Sequence, residues 1–459
     1  MNQAMKKART IDIRSLIDER PISRYQWMVV ILCFCVVAMD GFDVAIMGFI
    51  VPELKRLWSV TNSSLGPVIS AALIGLAIGA MLAGPLADKI GRKAVLTISV
   101  FFFGFWTLIA AQSGDLTHLV IFRFLTGLGL GGAMPNAATL VSEFSPEKRR
   151  SFIVTIVFAG FTLGAAGGGF LAAWLIPHFG WQSVLVTGGV MPVLLSLFLI
   201  WKLPESIRFL AETSASQQRM CAIVKKLAPD LHTENLQFSA STPATVKTSS
   251  INIVLSKKYR FGTFMFWATY FMGLFLVYLM GSWMPTMIKE SGYSVSQAAI
   301  VTAFFQIAGP VGSLCMGWCM DRMNPHRVLS FTYFIGGILL IGLGLVAHQF
   351  VLLVGLAFLV GFCFNGANTG MTALTTSFYP TTARATGASW MHGVGRLGAI
   401  LSAFAGAWML SMGWDFTQVF NALTIPALLG AIAVFAQGRY ASNEHTSESA
   451  EQPALHRVM

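Results

Sequence analysis

Four ionisable side chains, Asp40, Asp43, Arg123 and Arg396, each fall inside a run of about 20 mostly apolar residues. Asp40 and Asp43 lie three apart in Met39-Asp40-Gly41-Phe42-Asp43, which puts both carboxylates on one face of a helix. An ionised group at the centre of a membrane span costs at least ~2.5–3.5 kcal/mol on insertion scales, so such residues are retained for function or for pairing. Two adjacent carboxylates with few cations nearby imply one that is readily protonated, the property of a proton carrier. A guanidinium, charged at any accessible pH, suits bidentate capture of a carboxylate. The inventory reads as a proton plus an organic anion, and either aspartate can be the carrier. A static buried ion pair joining helices is the plainer alternative.

The elements that position these groups are membrane spans. Only 11% of the 459 residues are charged, less than half the ~25% usual in soluble domains, while 55% are hydrophobic and the mean hydropathy is +0.67. That balance excludes a soluble enzyme and a disordered scaffold. Twelve windows predict spanning helices, at 27–52, 64–86, 94–112, 117–141, 152–175, 182–201, 261–285, 296–319, 329–347, 350–377, 388–410 and 415–436. The implied organisation is an N-terminal cytoplasmic segment (1–26), a six-helix bundle (27–201), a hydrophilic central loop (202–260), a second six-helix bundle (261–437) and a tail (438–459). The polar, basic start shows no cleavable signal peptide. At 1.5 Å per residue, Asp43 lies roughly 24 Å along an outward-running first span and Arg123 roughly 9 Å along an inward-running fourth, nearly equal depths in a core ~30 Å thick. An Asp43–Arg123 pair is therefore expected, with Arg396 about 12 Å from the cytoplasmic end of span eleven, one turn beyond His392.

Of the 31 Lys and Arg residues, 26 fall on the side of the N-terminus and three, Lys55, Arg56 and Lys289, on the other. Both termini and the central loop are thus expected in the cytoplasm. The net charge of +11 is an orientation signal facing anionic lipid, and nucleic acid is not an expected partner. Five of the six cysteines lie in apolar runs and read as packing residues, with Cys221 alone in a polar stretch. No metal-ligand cluster or cofactor motif is present; the proton is the coupling ion expected, and the chain reads as a monomer. Gly127-x-Gly129-x-Gly131-Gly132 lies within a span, where small residues allow tight helix packing rather than nucleotide binding.

Shifting the chain by 233 or 234 residues aligns special positions of the two halves. Gly48 and Pro52 match Gly281 and Pro285, Gly84 and Asp88 match Gly317 and Asp321, and Phe144, Pro146 and Arg150 match Phe378, Pro380 and Arg384. Six spans per repeat give both copies the same orientation, the arrangement in which two halves rock about a site near the midplane. The loop Gly84-Pro-Leu-Ala-Asp88-Lys89-Ile-Gly91-Arg92-Lys93 resembles the cytoplasmic signature of the major facilitator superfamily, with a weaker second copy at Gly317 to Arg322. Gly84 and Gly91 would permit close approach and a tight turn. Asp88 would cap a neighbouring helix or pair with Arg on the other bundle, closing the inner face in one conformation only, with Arg92, Glu143, Arg150, Asp321, His326 and Arg384 in the same gating network.

Tyr270, Tyr278, Phe304, Phe305 and Trp390 could stack on a flat ligand. Gln306, Asn365, Asn368 and Thr372 need polar partners in hydrocarbon, so a cavity lined by spans eight and ten is expected. Asp40-Gly41-Phe42-Asp43, Arg123-Phe-Leu-Thr-Gly-Leu-Gly, Met134-Pro-Asn-Ala, Pro204-Glu-Ser-x-Arg208, Asn324-Pro-His326 and Arg384-Ala-Thr-Gly387-Ala-Ser-Trp390-Met together resemble the aromatic acid:proton symporter family. The resemblance implies a twelve-helix, all-α fold in the bacterial inner membrane. It implies uptake, with a proton, of an aromatic carboxylate such as 4-hydroxybenzoate, protocatechuate or a related benzoate. It also assigns transport roles to Asp40, Asp43, Gly84, Asp88, Gly91, Arg123, Glu143, His326, Arg384 and Arg396. An exporter working by antiport is the rival transport reading, although Gly160-x-x-x-Gly164-Ala165 has Ala165 where the antiporter signature has Pro. A non-transporting membrane sensor is the other, and it would not need paired intramembrane acids and bases.

Overall fold

The computed structural model describes residues 9–212, 217–228, 236–239, 250–380 and 383–455. Twelve of its helices are long and apolar enough to span a bilayer. They are α2 (Arg24–Trp58), α3 (Asn62–Ile90), α4 (Arg92–Ala110), α5 (Leu116–Phe144), α6 (Arg150–Phe179), α7 (Gln182–Lys202), α11 (Arg260–Glu290), α12 (Val295–Arg322), α13 (Pro325–Leu345), α14 (Phe350–Phe378), α15 (Arg384–Ser411) and α16 (Phe416–Leu455). The shorter elements are β1 (Arg9–Asp12), α1 (Ile13–Glu19), α8 (Ile207–Glu212), α9 (Gln217–Leu227), β2 (Leu236–Ser239) and α10 (Ser250–Val254).

Helix starts are fixed by side chains that take up otherwise orphaned backbone N–H groups. Ser294 and Gln297 form a reciprocal capping box at α12, and Ser23 with Gln26 does the same at α2. Asn324 caps α13 through the N–H groups of His326 and Arg327, with Pro325 in the first turn. Asp115, between spans, accepts the His118 N–H at 2.9 Å, and that backbone hydrogen bond holds its carboxyl below the usual range.

The chain divides into two compact units, and their boundary cuts through helices rather than following the two repeats. The first comprises residues 1–44, 74–164 and 185–245; the second comprises 45–73, 165–184 and 246–459. In the first, glycines bring backbones together: a Cβ at Gly79 would stand 2.2 Å from the Leu128 carbonyl oxygen, and one at Gly131 would stand 2.4 Å from that of Leu76. The Gly127 to Gly132 run thus packs α5 against α3 at Gly131 and against α4 at Gly129 and Gly132. In the second unit the repeat counterpart holds, with Gly361 of α14 against the Phe305 carbonyl of α12.

The first unit also contains a small folded layer made from the N-terminal segment and the central loop. β1 and β2 pair in parallel from Arg9↔Leu236 to Asp12↔Ser239, a short ladder added to an otherwise helical molecule. Ile13 and Ile17 of α1 share a buried cluster with Ile207, Leu210, Met220 and Val224 of α8 and α9 and with inner residues of α2, α4, α5 and α6. The hydrophilic composition of 202–260 therefore conceals an apolar face.

Candidate functional site

In the first unit, three helices converge on one carboxylate. Asp43 of α2 and Arg123 of α5 form an ion pair, with Nη1 donating to Oδ1 at 3.1 Å and Nη2 standing 2.9 Å from Oδ2 without a hydrogen bond to it. Arg123 Nη2 donates to the Asp43 carbonyl oxygen at 3.2 Å. Thr107 of α4 donates its hydroxyl to Oδ1 at 2.8 Å. The two charged side chains are 0% and 1% exposed, so the pair is dry. Asp40, one turn back on α2, is equally buried at 1%. Gly41 and Gly164 allow α2 to run directly against α6 here: a Cβ on Gly41 would lie 1.9 Å from the Phe161 carbonyl oxygen, and one on Gly164 the same distance from that of Ala38.

At the inner ends of the same unit, the signature loop assembles a charge cluster. Arg92 Nη1 meets Glu143 Oε1 at 2.7 Å, while Asp88, 75% exposed, stands 3.6 Å from Arg92 Nη2. Ser206 bridges the pair: its hydroxyl donates to Glu143 Oε2 at 2.6 Å and accepts from Arg92 Nη1 at 3.1 Å. Glu205 caps the start of α4 by accepting the Lys93 N–H at 2.9 Å. Gly91, at φ +97°, leaves the space it needs, since a Cβ there would fall 2.4 Å from Glu205 Oε2. Gly84 has no neighbour within 4 Å of where a Cβ would stand, so the close approach expected of it is not made. Arg150 opens α6, half-buried.

In the second unit, the C-terminal ends of α2 and α11 meet as repeat equivalents. Gly48 lies against the Gly281 carbonyl, where a Cβ would be 2.4 Å away. One turn further on, Lys289 pairs with Glu53 at 2.8 Å, Arg56 pairs with Glu53 at 2.8 Å, and Lys55 pairs with Glu290. The three basic residues that the sequence offered only as orientation signals are thus ion-paired, two of them across the repeats.

The same unit holds a polar cluster around Arg396. Tyr270 of α11 neighbours Thr372 of α14, whose hydroxyl donates to the Asn368 carbonyl at 3.3 Å, and meets the His392 ring edge-on at 4.9 Å between centroids. Arg396, half-buried one turn beyond His392, is an electrostatic neighbour of both. The Tyr333 hydroxyl donates to Asn368 Oδ1 at 3.2 Å, and Asn365 Nδ2 reaches the Phe305 carbonyl at 3.5 Å. Gln306 is buried with its amide nitrogen 3.3 Å from a Cβ placed on Gly281.

Trp390 does not join this cluster. It is 45% exposed, stacks on Trp267 and shares its helix face with the exposed Leu397, Leu401, Phe404 and Trp408, an apolar stripe of the kind that faces lipid. Tyr278 is half-buried on α11, two turns beyond Tyr270. The second signature copy is not gathered like the first: Asp321 and Arg384 are exposed, and His326 packs against Gly438 of α16, where a Cβ would stand 2.6 Å from its own.

Thr107, Glu53, Glu290, Glu205 and Ser206 were not singled out by type and spacing. Only the last two carried a signal, the Pro204-Glu205-Ser206 motif.

A twelve-span helical protein built from two parallel repeats, with a buried acid–base pair in one compact unit and a cationic aromatic cluster in the other, has the form of a facilitator-type transporter. The family model of the Major Facilitator Superfamily matches residues 33–403 and again 289–457, and the chain belongs to that superfamily. It is 46% identical over 440 residues to a 4-hydroxybenzoate transporter of Pseudomonas putida, covering 95% of this chain and 98% of the relative. It is 45% identical to a gallate transporter of Pseudomonas putida, covering 93% and 95% of the two chains, and 33% identical to a benzoate transport protein of Acinetobacter baylyi, covering 93% of each. A crystal structure of a D-xylose-proton symporter matches its fold with a TM-score of 0.70 at 17% identity, over 90% of this chain and 97% of that one. The chain is a multi-pass membrane protein of a transporter family and not an enzyme.

Proposed function

We propose that this protein takes up a hydroxylated aromatic carboxylate together with a proton, by alternating access, across the bacterial inner membrane with both termini in the cytoplasm. The observation that carries the proposal is the dry Asp43–Arg123 pair beside Asp40, since a buried carboxylate matched to a permanent cation is a group whose protonation changes what the cation can do. The names of the relatives, 4-hydroxybenzoate, gallate and benzoate carriers, support the ligand class. The charge asymmetry of the loops supports the orientation.

The two guanidinium groups stand in different surroundings. Arg123 spends its guanidinium on Asp43. Arg396, half-buried beside the rings of Tyr270 and His392, is the guanidinium whose aromatic surroundings suit a substrate carboxylate. Tyr270 offers an aromatic face, and Asn365, Asn368 and Gln306 offer amides to ring hydroxyls. Protonation of the Asp40/Asp43 pair from outside releases Arg123 from its neutralised partner and loosens the helix contacts that the pair maintains. The Lys289–Glu53 and Lys55–Glu290 ion pairs, which join the two repeats, are the contacts that break when the outer face opens. A thermal-shift panel of benzoate, 4-hydroxybenzoate, protocatechuate, gallate and vanillate on purified protein, followed by uptake of labelled acid into vesicles, tests the ligand class. Stabilisation by none of them removes it.

A further inference from the structure

Thr107 stands outside every motif of the chain, yet its hydroxyl touches the most buried charge in the first unit. It lies in α4, fully buried, and reaches across to α2 to donate to Asp43 Oδ1 at 2.8 Å. The commoner fate of a helical threonine hydroxyl in an apolar setting is a bond back to the carbonyl four residues earlier, as Thr302 and Thr375 make here. Oδ1 already accepts from Arg123 Nη1 at 3.1 Å, so the hydroxyl supplies its second donor. On the far side of Thr107, the hydroxyl of Thr126, also fully buried, stands 3.5 Å away.

This chain of groups, Arg123, Asp43, Thr107 and Thr126, has a property that a packing contact lacks. An ionised Asp43 accepts from every neighbour; an acid protonated on Oδ1 must donate that proton or point it at a donor. Lysine or arginine cannot reverse its role, whereas a hydroxyl can. Thr107 donates to the carboxylate and, after rotation about its C–O bond, accepts from the acid while its own hydrogen turns to Thr126. The exchange keeps Asp43 Oδ1 and the Thr107 hydroxyl hydrogen-bonded to each other in either state, where losing that bond in a dry site would be expensive.

We propose that Thr107 is a positioning residue for the proton-linked step: its hydroxyl holds Asp43 in register with Arg123 and follows the carboxyl through its change of protonation. The proposal deepens the symport reading and rests on it for its transport arm. It concerns the hydroxyl, not the shape of the side chain, so two near-isosteric changes separate them. Thr107→Val keeps the branched shape and removes the O–H; Thr107→Ser keeps the O–H and removes the methyl.

In the full-length protein, at matched membrane abundance, initial rates of labelled 4-hydroxybenzoate uptake are measured over a range of substrate concentrations. Thr107→Val is expected to lower the maximal rate about tenfold or more while the half-saturating concentration moves less than about twofold, because the hydroxyl serves Asp43 and not the aromatic acid. Thr107→Ser is expected to retain at least about half of the wild-type rate. A valine variant that transports as well as, or better than, the serine variant overturns the proposal, since shape alone would then explain the residue. A wild-type protein that takes up none of the acids strikes the symport reading instead. The positioning claim then stands or falls on melting temperatures of the purified protein. Thr107→Val should lower the melting temperature of the wild type by clearly more than that of Asp43→Ala; equal decrements in both backgrounds overturn it.

Discussion

Neutralising Asp43 while leaving Arg123 in place should be among the most damaging single changes available in the first unit. In Asp43→Asn the guanidinium keeps its charge, at 1% exposure, and its fork now faces one carbonyl oxygen and one NH2 group where two carboxylate oxygens stood at 2.9 and 3.1 Å. The Asp43 backbone carbonyl at 3.2 Å remains its other acceptor. Breaking a buried pair by removing one partner costs about 3–5 kcal/mol, and no solvent screening reduces it here. At 1.4 kcal/mol per decade this is roughly two to four orders of magnitude in the ratio of folded to unfolded protein. Removing both charges should return most of that loss, because the desolvation penalty disappears with the attraction. Thermal melting of purified wild type, Asp43→Asn, Arg123→Gln and the double variant reads the effect. The expected order is wild type, then the double variant, then either single variant, with transport lost in all three. A single variant as stable as the wild type, or a double variant less stable than both singles, would refute the claim that the pair is a matched, dry unit.

Arg396→Lys should raise the half-saturating concentration for 4-hydroxybenzoate by about tenfold with a smaller change in maximal rate, since an ammonium cannot make the bidentate contact; uptake kinetics decide it. Trp390→Ala should leave that concentration within about twofold of wild type, because the side chain lies on the exposed apolar stripe; a larger change would return Trp390 to the substrate site. Glu53→Cys with Lys289→Cys, oxidised to a disulfide, should tether the outer ends of α2 and α11 and stop uptake until a reductant is added. Uptake that continues with the cross-link formed would show that this contact need not open.

What the sequence made legible was whatever the bilayer enforces. Backbone satisfaction in hydrocarbon demands helices about 20 residues long, so the spans could be counted. The rise per residue then brought Asp43 and Arg123 to one depth, and the structure pairs them. Direction around a helix was harder. Trp390 was grouped with ligand-stacking aromatics because its type suits that role, but it follows the periodicity of Leu397, Leu401, Phe404 and Trp408 on the exposed face. Thr107 carried no signal because a hydroxyl in a span usually satisfies itself on its own helix. Arg56 has Glu53 three residues back on its own helix, whereas the Lys289–Glu53 and Lys55–Glu290 pairs become visible only when α2 and α11 are brought together. The β1–β2 ladder joins four-residue segments that lie far apart in the chain, too short for periodicity to reveal.

The central claim, that inward movement of an aromatic carboxylate is tied to a proton through Asp43 and its neighbours, is tested most directly in liposomes containing the purified protein. With labelled 4-hydroxybenzoate at equal concentration on both sides and the inside made alkaline, the wild type should accumulate the acid internally, an uncoupler should abolish the accumulation, and Asp43→Asn should show none. Accumulation that survives the uncoupler, undiminished uptake by Asp43→Asn, or net movement outward under the same gradient would contradict the account.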